Sequence, residues 1–160
     1  MKSRLALCLI ALCVLFSLAA VSAEDNQTEI ISDSADYHPF SELNQSISES
    51  TNEINLEHDY TCDNSTIRVN KENKFVINGN GHIIDGAVAS RHFVFKSDDV
   101  VIINNLTFQN FTDSSLKMYT PVIFSNVKFI NCTSLNYTTF ISSSADIQFD
   151  RCIFEDNTFV

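Results

Sequence analysis

Few residues of this chain combine types and spacing that could do chemistry. Asp98 and Asp99 stand side by side, with Arg91 and Lys96 nearby. Paired acids beside a base are what cleavage of a polysaccharide needs, by Ca²⁺-assisted elimination or by acid–base hydrolysis. The run Asn78-Gly79-Asn80-Gly81-His82-Ile83-Ile84-Asp85-Gly86 holds all three glycines of the protein. It would suit a phosphate cradle, with His82 or Asp85 as a proton-transfer group. No Lys follows that run and no helical pattern opens from it, so it reads instead as two tight turns. Asp98-Asp99 is likewise an ordinary turn sequence. His38, His58, His82 and His92 lack ligand spacing and there is no CxxC, so neither a metal nor a cofactor is expected.

The elements that carry these residues repeat. Ile84, Phe108, Phe129 and Phe154 anchor four similar stretches, spaced by 24, 21 and 25 residues. Two residues after the anchors come Gly86, Asn110, Asn131 and Asp156; two before come His82, Leu106, Val127 and Cys152. Three before come Gly81, Asn105, Asn126 and Arg151; seven before come Ile77, Val101, Val122 and Ile147. A period of this length marks a repeat architecture whose units bury their apolar faces only by stacking. The unit is two alternating strand pieces joined by a two-residue polar turn. The fold class expected is all-β, a right-handed parallel β-helix of about four coils. Its core stack is Leu106, Phe108, Val127, Phe129, Cys152 and Phe154, with Thr107 and Lys128 pointing out. Asn110, Asn131 and Asp156 form an asparagine ladder, read as turned inward, and Asn105 over Asn126 forms a second one ending at Arg151.

Residues 1–23 read as a secretory signal peptide: Lys2 and Arg4, an apolar run from Leu5 to Phe16, then the small-x-small triplet Val21-Ser22-Ala23. Residues 24–37 are polar and acidic and read as a flexible leader. Residues 38–53 read as an N-terminal cap built on a short helix over about 41–49, with Ser41 as N-cap and Phe40, Leu43 and Ile47 on one face. Residues 54–160 form the β-helix, expected to be incomplete at its C-terminus and so open to self-association through its last coil. Loss of Lys2 and Arg4 with the signal takes the net charge from −10 to −12 on 137 residues. No basic patch is visible in the sequence, which argues against nucleic acid as a partner. Removal of the signal also leaves no membrane span. Cys62, Cys132 and Cys152 remain, an odd number. Cys152 reads as a buried thiol, and a Cys132–Cys152 bridge is not indicated.

Seven Asn-x-Ser/Thr triplets begin at Asn26, Asn44, Asn64, Asn105, Asn110, Asn131 and Asn136. In a secreted chain these are glycan acceptors by motif. Asn26, Asn44 and Asn64 are the expected acceptors, since an inward ladder would hide Asn110 and Asn131. Tyr119 and Tyr137 fall between rungs, where an aromatic could stack on a sugar.

The run FSELNQSI, INLEHDYTC and IRVNKENKFVINGNGHIIDG, followed by VVIINNLTFQN and PVIFSNVKFINC, resembles the archaeal adhesin-like proteins of methanogens. The resemblance covers about residues 38–157. It implies a secreted right-handed parallel β-helix repeat protein at the cell surface, with a role in adhesion or cell-wall contact. The reading adopted is a non-catalytic binding or structural module for carbohydrate or a cell-surface protein. The alternative is a carbohydrate-active β-helix enzyme, a polysaccharide lyase or hydrolase, centred on Asp98-Asp99.

Overall fold

The structure is a computed structural model that describes residues 36–87, 93–113, 115–134 and 139–159. The signal segment, Asn26, most of the acidic leader, Arg91, His92, Asn136 and Tyr137 lie outside the described residues.

Strands of two to four residues alternate with sharp corners, and every strand pair is parallel. The chain enters through β1 (Tyr37–Pro39) and α1 (Phe40–Glu49). Coil 1 is β2 (Glu53–Asn55), β3 (Asp59–Thr61) and β4 (Ile67–Val69). Coil 2 is β5 (Phe75–Asn78), β6 (Ile83–Asp85) and β7 (Phe93–Phe95). Coil 3 is β8 (Val101–Asn104), β9 (Thr107–Gln109) and β10 (Leu116–Met118). Coil 4 is β11 (Val122–Ser125), β12 (Lys128–Ile130), a short β13 (Thr133–Ser134) and β14 (Ile141–Ser143). Coil 5 is β15 (Ile147–Asp150), β16 (Ile153–Glu155) and β17 (Thr158–Phe159). The result is a β-solenoid of about five turns, close to the four expected; the added turn is coil 1. Three sheets line its faces. The first runs β1-β3-β6-β9-β12-β16, the second β2-β5-β8-β11-β15, and the third β4-β7-β10-β14.

Alternation turns every second side chain into the interior. Ile84, Phe108, Phe129 and Phe154 are register partners along the first sheet. The Phe108 and Phe129 rings stack at 5.6 Å and 11°, and those of Phe129 and Phe154 at 4.8 Å and 13°. Ile103, Phe124 and Phe149 form a parallel column on the second sheet. Leu106, Phe108, Val127 and Phe129 are buried, whereas Phe154 is 51% exposed and Cys152 half-buried. Phe154 stacks on Phe129 with one face and meets Phe149 edge-on, and its other face stays open, so its position in the column does not bury it.

The register of coil 2 corrects the sequence alignment. Ile77 pairs with Ile103, and Phe75 with Val101, so strand β5, ahead of the corner, is shifted by two residues, while Ile83 keeps its place opposite Thr107. The corner between β5 and β6 holds four residues, 79–82, where coils 3, 4 and 5 use two. A Cβ on Gly79 would sit 2.5 Å from the Asn105 carbonyl oxygen and 2.6 Å from Leu106 Cβ. That position excludes any side chain. The wider corner is closed by Gly81 at φ +86° and Asn80 at φ 54°.

Corners elsewhere use left-handed residues in two columns. Asn105, Asn126 and Arg151 have φ of 48°, 55° and 52°; Asn110, Asn131 and Asp156 have 56°, 51° and 53°. Asn and Asp tolerate this region better than other non-glycine residues. The Asn131 Nδ2 donates to Asn110 Oδ1 at 2.7 Å, and Asn126 Nδ2 to Asn105 Oδ1 at 3.2 Å. Asn131 is exposed and Asn110 half-buried, so this ladder lies on the outside of the corner rather than inward. The left-handed turn directs the amide away from the core that Phe108 and Phe129 fill. A further ladder was not singled out in the sequence: Asn78 Nδ2 donates to Asn55 Oδ1 at 3.0 Å, and Asn104 Nδ2 to Asn78 Oδ1 at 3.2 Å.

The N-terminal end is capped by two elements. β1 adds a strand to the first sheet beside β3, beginning at Tyr37, inside the stretch read as leader. α1 packs against β4, with Phe40, Leu43 and Ile47 buried. Asn44 Oδ1 accepts the edge N–H of Arg68 at 2.8 Å, and the Lys71 ammonium donates to the carbonyls of Ser48 and Ser50. These contacts satisfy groups that an uncovered edge and a helix end would leave unpaired. Ser41 is not the N-cap. The helix follows Pro39, and Asp63 from coil 1 accepts from Ser41 N at 3.2 Å and Ser41 Oγ at 2.5 Å. Burial works against the Asp63 charge. The hydrogen bonds from Ser41 and Ser65 outweigh it and bring the pKa down to about 2.

Phe129→Ala should lose about 3–5 kcal/mol in denaturant melts, and Phe129→Asp should abolish the cooperative transition. Thr107→Asp, outward on β9, should stay within about 0.5 kcal/mol. Gly79→Ala should destabilise strongly, and Gly81→Ala by about 1–2 kcal/mol from its backbone angle alone. The Asp63 contribution is present in full above the ordinary carboxylate value near 4 and is lost as pH falls to about 2. Wild type and Asp63→Asn should therefore differ by about 1 kcal/mol or less at pH 7 and converge at pH 2.

Candidate functional surfaces

The first face gathers the polar groups best suited to proton transfer. Asp59 and Thr61 project from β3, Asp85 from β6 and Gln109 from β9, at outward positions of neighbouring strands. Tyr37 enters from β1, and its hydroxyl accepts from Gln109 Nε2 at 3.2 Å. Burial raises the Tyr37 pKa, and the Asp85 and Asp59 carboxylates raise it further. The scaffold engages Asp85 through both oxygens and Asp59 through Oδ1. Asp59 Oδ1 accepts from Ile83 N at 2.9 Å and lies 3.0 Å from His82 Nδ1. Asp85 accepts from Ala87 N at 2.7 Å, from Gln109 Nε2 at 2.9 Å, and from Asn110 Nδ2 at 3.0 and 3.1 Å. A carboxylate so engaged is a ladder member that continues the Asn110–Asn131 column by one coil.

Asp98 and Asp99 sit in the turn before β8. Asp99 Oδ1 accepts from Val100 N at 2.6 Å, the Asp99 carbonyl accepts from Thr120 Oγ1 at 2.9 Å, and Asp98 N donates to the Lys71 carbonyl at 2.8 Å. These bonds shape the corner, and Lys96 projects from the third face. Among the described residues, no group of three His, Cys, Asp or Glu side chains could hold a metal ion.

A groove of about 390 Å³ opens between α1 and coil 1, lined by Glu42, Glu49, Glu57, His58 and Tyr60 among others. His58 stacks on His38 at 3.8 Å and 9°, and His38 Nδ1 lies 2.8 Å from Glu42 Oε1. Burial, then Glu42 and Glu57, raise the Tyr60 pKa. Glu42, Glu49 and Glu57 are the charged groups of its wall, beside His58.

The third face differs in kind. Its outward positions in register are Arg68, Val94, Lys117 and Ser142. Backbone hydrogen bonds from Lys96 N to Val69 O, Tyr119 N to Phe95 O and Ser144 N to Met118 O carry the register one residue past the strands. They align a second outward row, Asn70, Lys96, Tyr119 and Ser144. Tyr119 is 57% exposed. The basic patch that was not visible in the sequence is therefore formed by the fold: Arg68, Lys96 and Lys117 lie 28 and 21 residues apart in the chain and on successive coils in space.

Of the expected glycan acceptors, Asn64 is exposed at φ 73° and Asn44 is half-buried with its oxygen on Arg68 N. Cys62, Cys132 and Cys152 are all free thiols. Cys132 is fully buried, and burial pushes its pKa up to about 11. No described helix is long and apolar enough to cross a membrane. Comparison with protein-family models, curated proteins and solved structures gives no match.

Native protein treated with iodoacetamide at pH 7.5 should label Cys62 and Cys152 and spare Cys132, with all three labelled after unfolding. Mass mapping of the alkylated peptides checks this.

Proposed function

We propose that this chain is a secreted, adhesin-like module of the cell surface that binds carbohydrate or a surface protein and does not turn it over. Its resemblance to the archaeal adhesin-like proteins of methanogens supports this. So does a solenoid whose flat faces present ordered rows of Asn, Ser, Thr and Tyr. One observation carries the non-catalytic part: of the acids flanking His82 and Tyr37, Asp85 spends both oxygens, and Asp59 its Oδ1, on hydrogen bonds within the scaffold. A general acid or nucleophile needs a carboxylate that can face substrate and change protonation during turnover. On this reading Asn26, Asn44 and Asn64 carry glycans. Residues 1–23 direct export. The apolar side of coil 5, where Phe149, Ile153, Phe154 and Phe159 are exposed, supports self-association.

Incubation with a panel of neutral and acidic polysaccharides should show retention of the protein on at least one polymer. It should show no new reducing ends and no unsaturated-uronide absorbance. Cleavage that disappears in D98A/D99A would replace this reading with the lyase or hydrolase alternative.

A further inference from the structure

We propose that the third face is the binding site for an anionic polysaccharide, bearing carboxylate or sulfate groups, laid along the solenoid axis across coils 1 to 3. This rests on the reading of the chain as a binding module and names its ligand and its site. The chain has a net charge of −10, yet neither outward row of this face contains a carboxylate. The first face carries Asp59, Asp85 and Glu155 in its outward rows, and the second carries Glu53 and Asp150. Cations thus recur on three successive coils of this face, whereas Lys128 on the first face stands among acids, an arrangement that favours a polyanion on the third face.

The face also has a seat. A cleft of about 150 Å³ lies between Arg68 and Lys96, floored by Val69 and Val94 and edged by Asn70. Val94 is an outward residue yet only 9% exposed. The neighbouring long side chains therefore cover apolar ground and hold their charged ends above it. Neither Arg68 nor Lys96 is ion-paired among the described residues. The Arg68 guanidinium can take a carboxylate or sulfate through two parallel N–H bonds, and Lys96 supplies a point charge. Tyr119 stands one coil beyond Lys96 in the same row and offers a ring on which the apolar face of a sugar can rest. Coils are about 4.8 Å apart, so Arg68, Lys96 and Tyr119 span about 10 Å along the axis. The ligand therefore crosses the strands rather than following one of them. Three cations are too few, and too tightly surrounded by an acidic molecule, for a nucleic-acid duplex.

The test is titration calorimetry of the full chain with polygalacturonate, dextran sulfate and uncharged dextran, at low salt and at about 0.5 M salt. Wild type should bind one of the two anionic polymers, identifying the anion, and salt should weaken that binding. The R68Q/K96Q variant should lose at least about tenfold in affinity, since both charged hydrogen bonds to the ligand go. Tyr119→Ala should weaken binding as well. K74Q/K128Q makes the same change in net charge away from this face and should bind as wild type. Thermal melts of every variant should match wild type. Equal binding by R68Q/K96Q and wild type overturns the site. Equal binding of dextran and dextran sulfate overturns the anionic ligand and leaves the binding-module reading standing. Duplex DNA bound as tightly as the polysaccharide overturns the ligand class. Binding of no polysaccharide overturns this proposal; the binding-module reading then rests on retention by whole-cell surfaces, measured with the same protein.

Discussion

Everything in this molecule depends on the in-register stacking of like side chains on coils about 4.8 Å apart. No single coil has an inside. Phe129 is buried because Phe108 lies on one face of its ring and Phe154 on the other. The same spacing lets an asparagine amide on one coil donate to its counterpart on the next, which closes corners that would otherwise leave side-chain amides competing for the backbone. Core, corners and outer faces are therefore one constraint expressed in three places. A residue's environment is set by what stands 21 to 28 positions away rather than by its neighbours in the chain.

This constraint explains what could be read from the sequence. Ile84, Phe108, Phe129 and Phe154 share fixed offsets to Asn and Gly corners, and those offsets made the solenoid, its anchors and its left-handed corners legible. The register ahead of Ile84 was not legible, because glycine mimics a corner wherever it falls. The pairing of Ile77 with Ile103 and the approach of Leu106 to Gly79 show that the corner there is two residues longer. Coil 1 escaped the alignment because Tyr60 and Cys62 replace the usual Phe and Asn. β1 carries no alternation at all, and its Pro39 belongs to an edge. The helix was legible from Phe40, Leu43 and Ile47, but its cap is Asp63, some twenty residues away, which no local pattern signals. The cationic face was hidden for the same reason: Arg68, Lys96 and Lys117 are scattered in sequence and become neighbours only once the period is folded.

Edges and faces divide the work. The N-terminal end is closed by β1, α1, Asn44 and Lys71, each pairing a backbone group of coil 1 or of the helix itself. On the first face Asp85 is spent on a ladder, and Asp59 Oδ1 on Ile83 and His82. That leaves the third face, short of carboxylates and bearing Tyr119, as the side on which the scaffold has side chains to spare. A rigid repeat of this kind gains binding surface by adding coils, and the chemistry of each face follows from which outward residue recurs.

The most direct test of the stacking account is a double-mutant cycle on Phe108→Ala and Phe129→Ala, measured by equilibrium denaturation, with Phe93→Ala and Phe149→Ala as a distant control pair. A coupling of about 0.5–1.5 kcal/mol between Phe108 and Phe129, and none between the controls, is the predicted result. Independent effects of Phe108 and Phe129 would contradict the register on which the core, the ladders and the cationic face all rest.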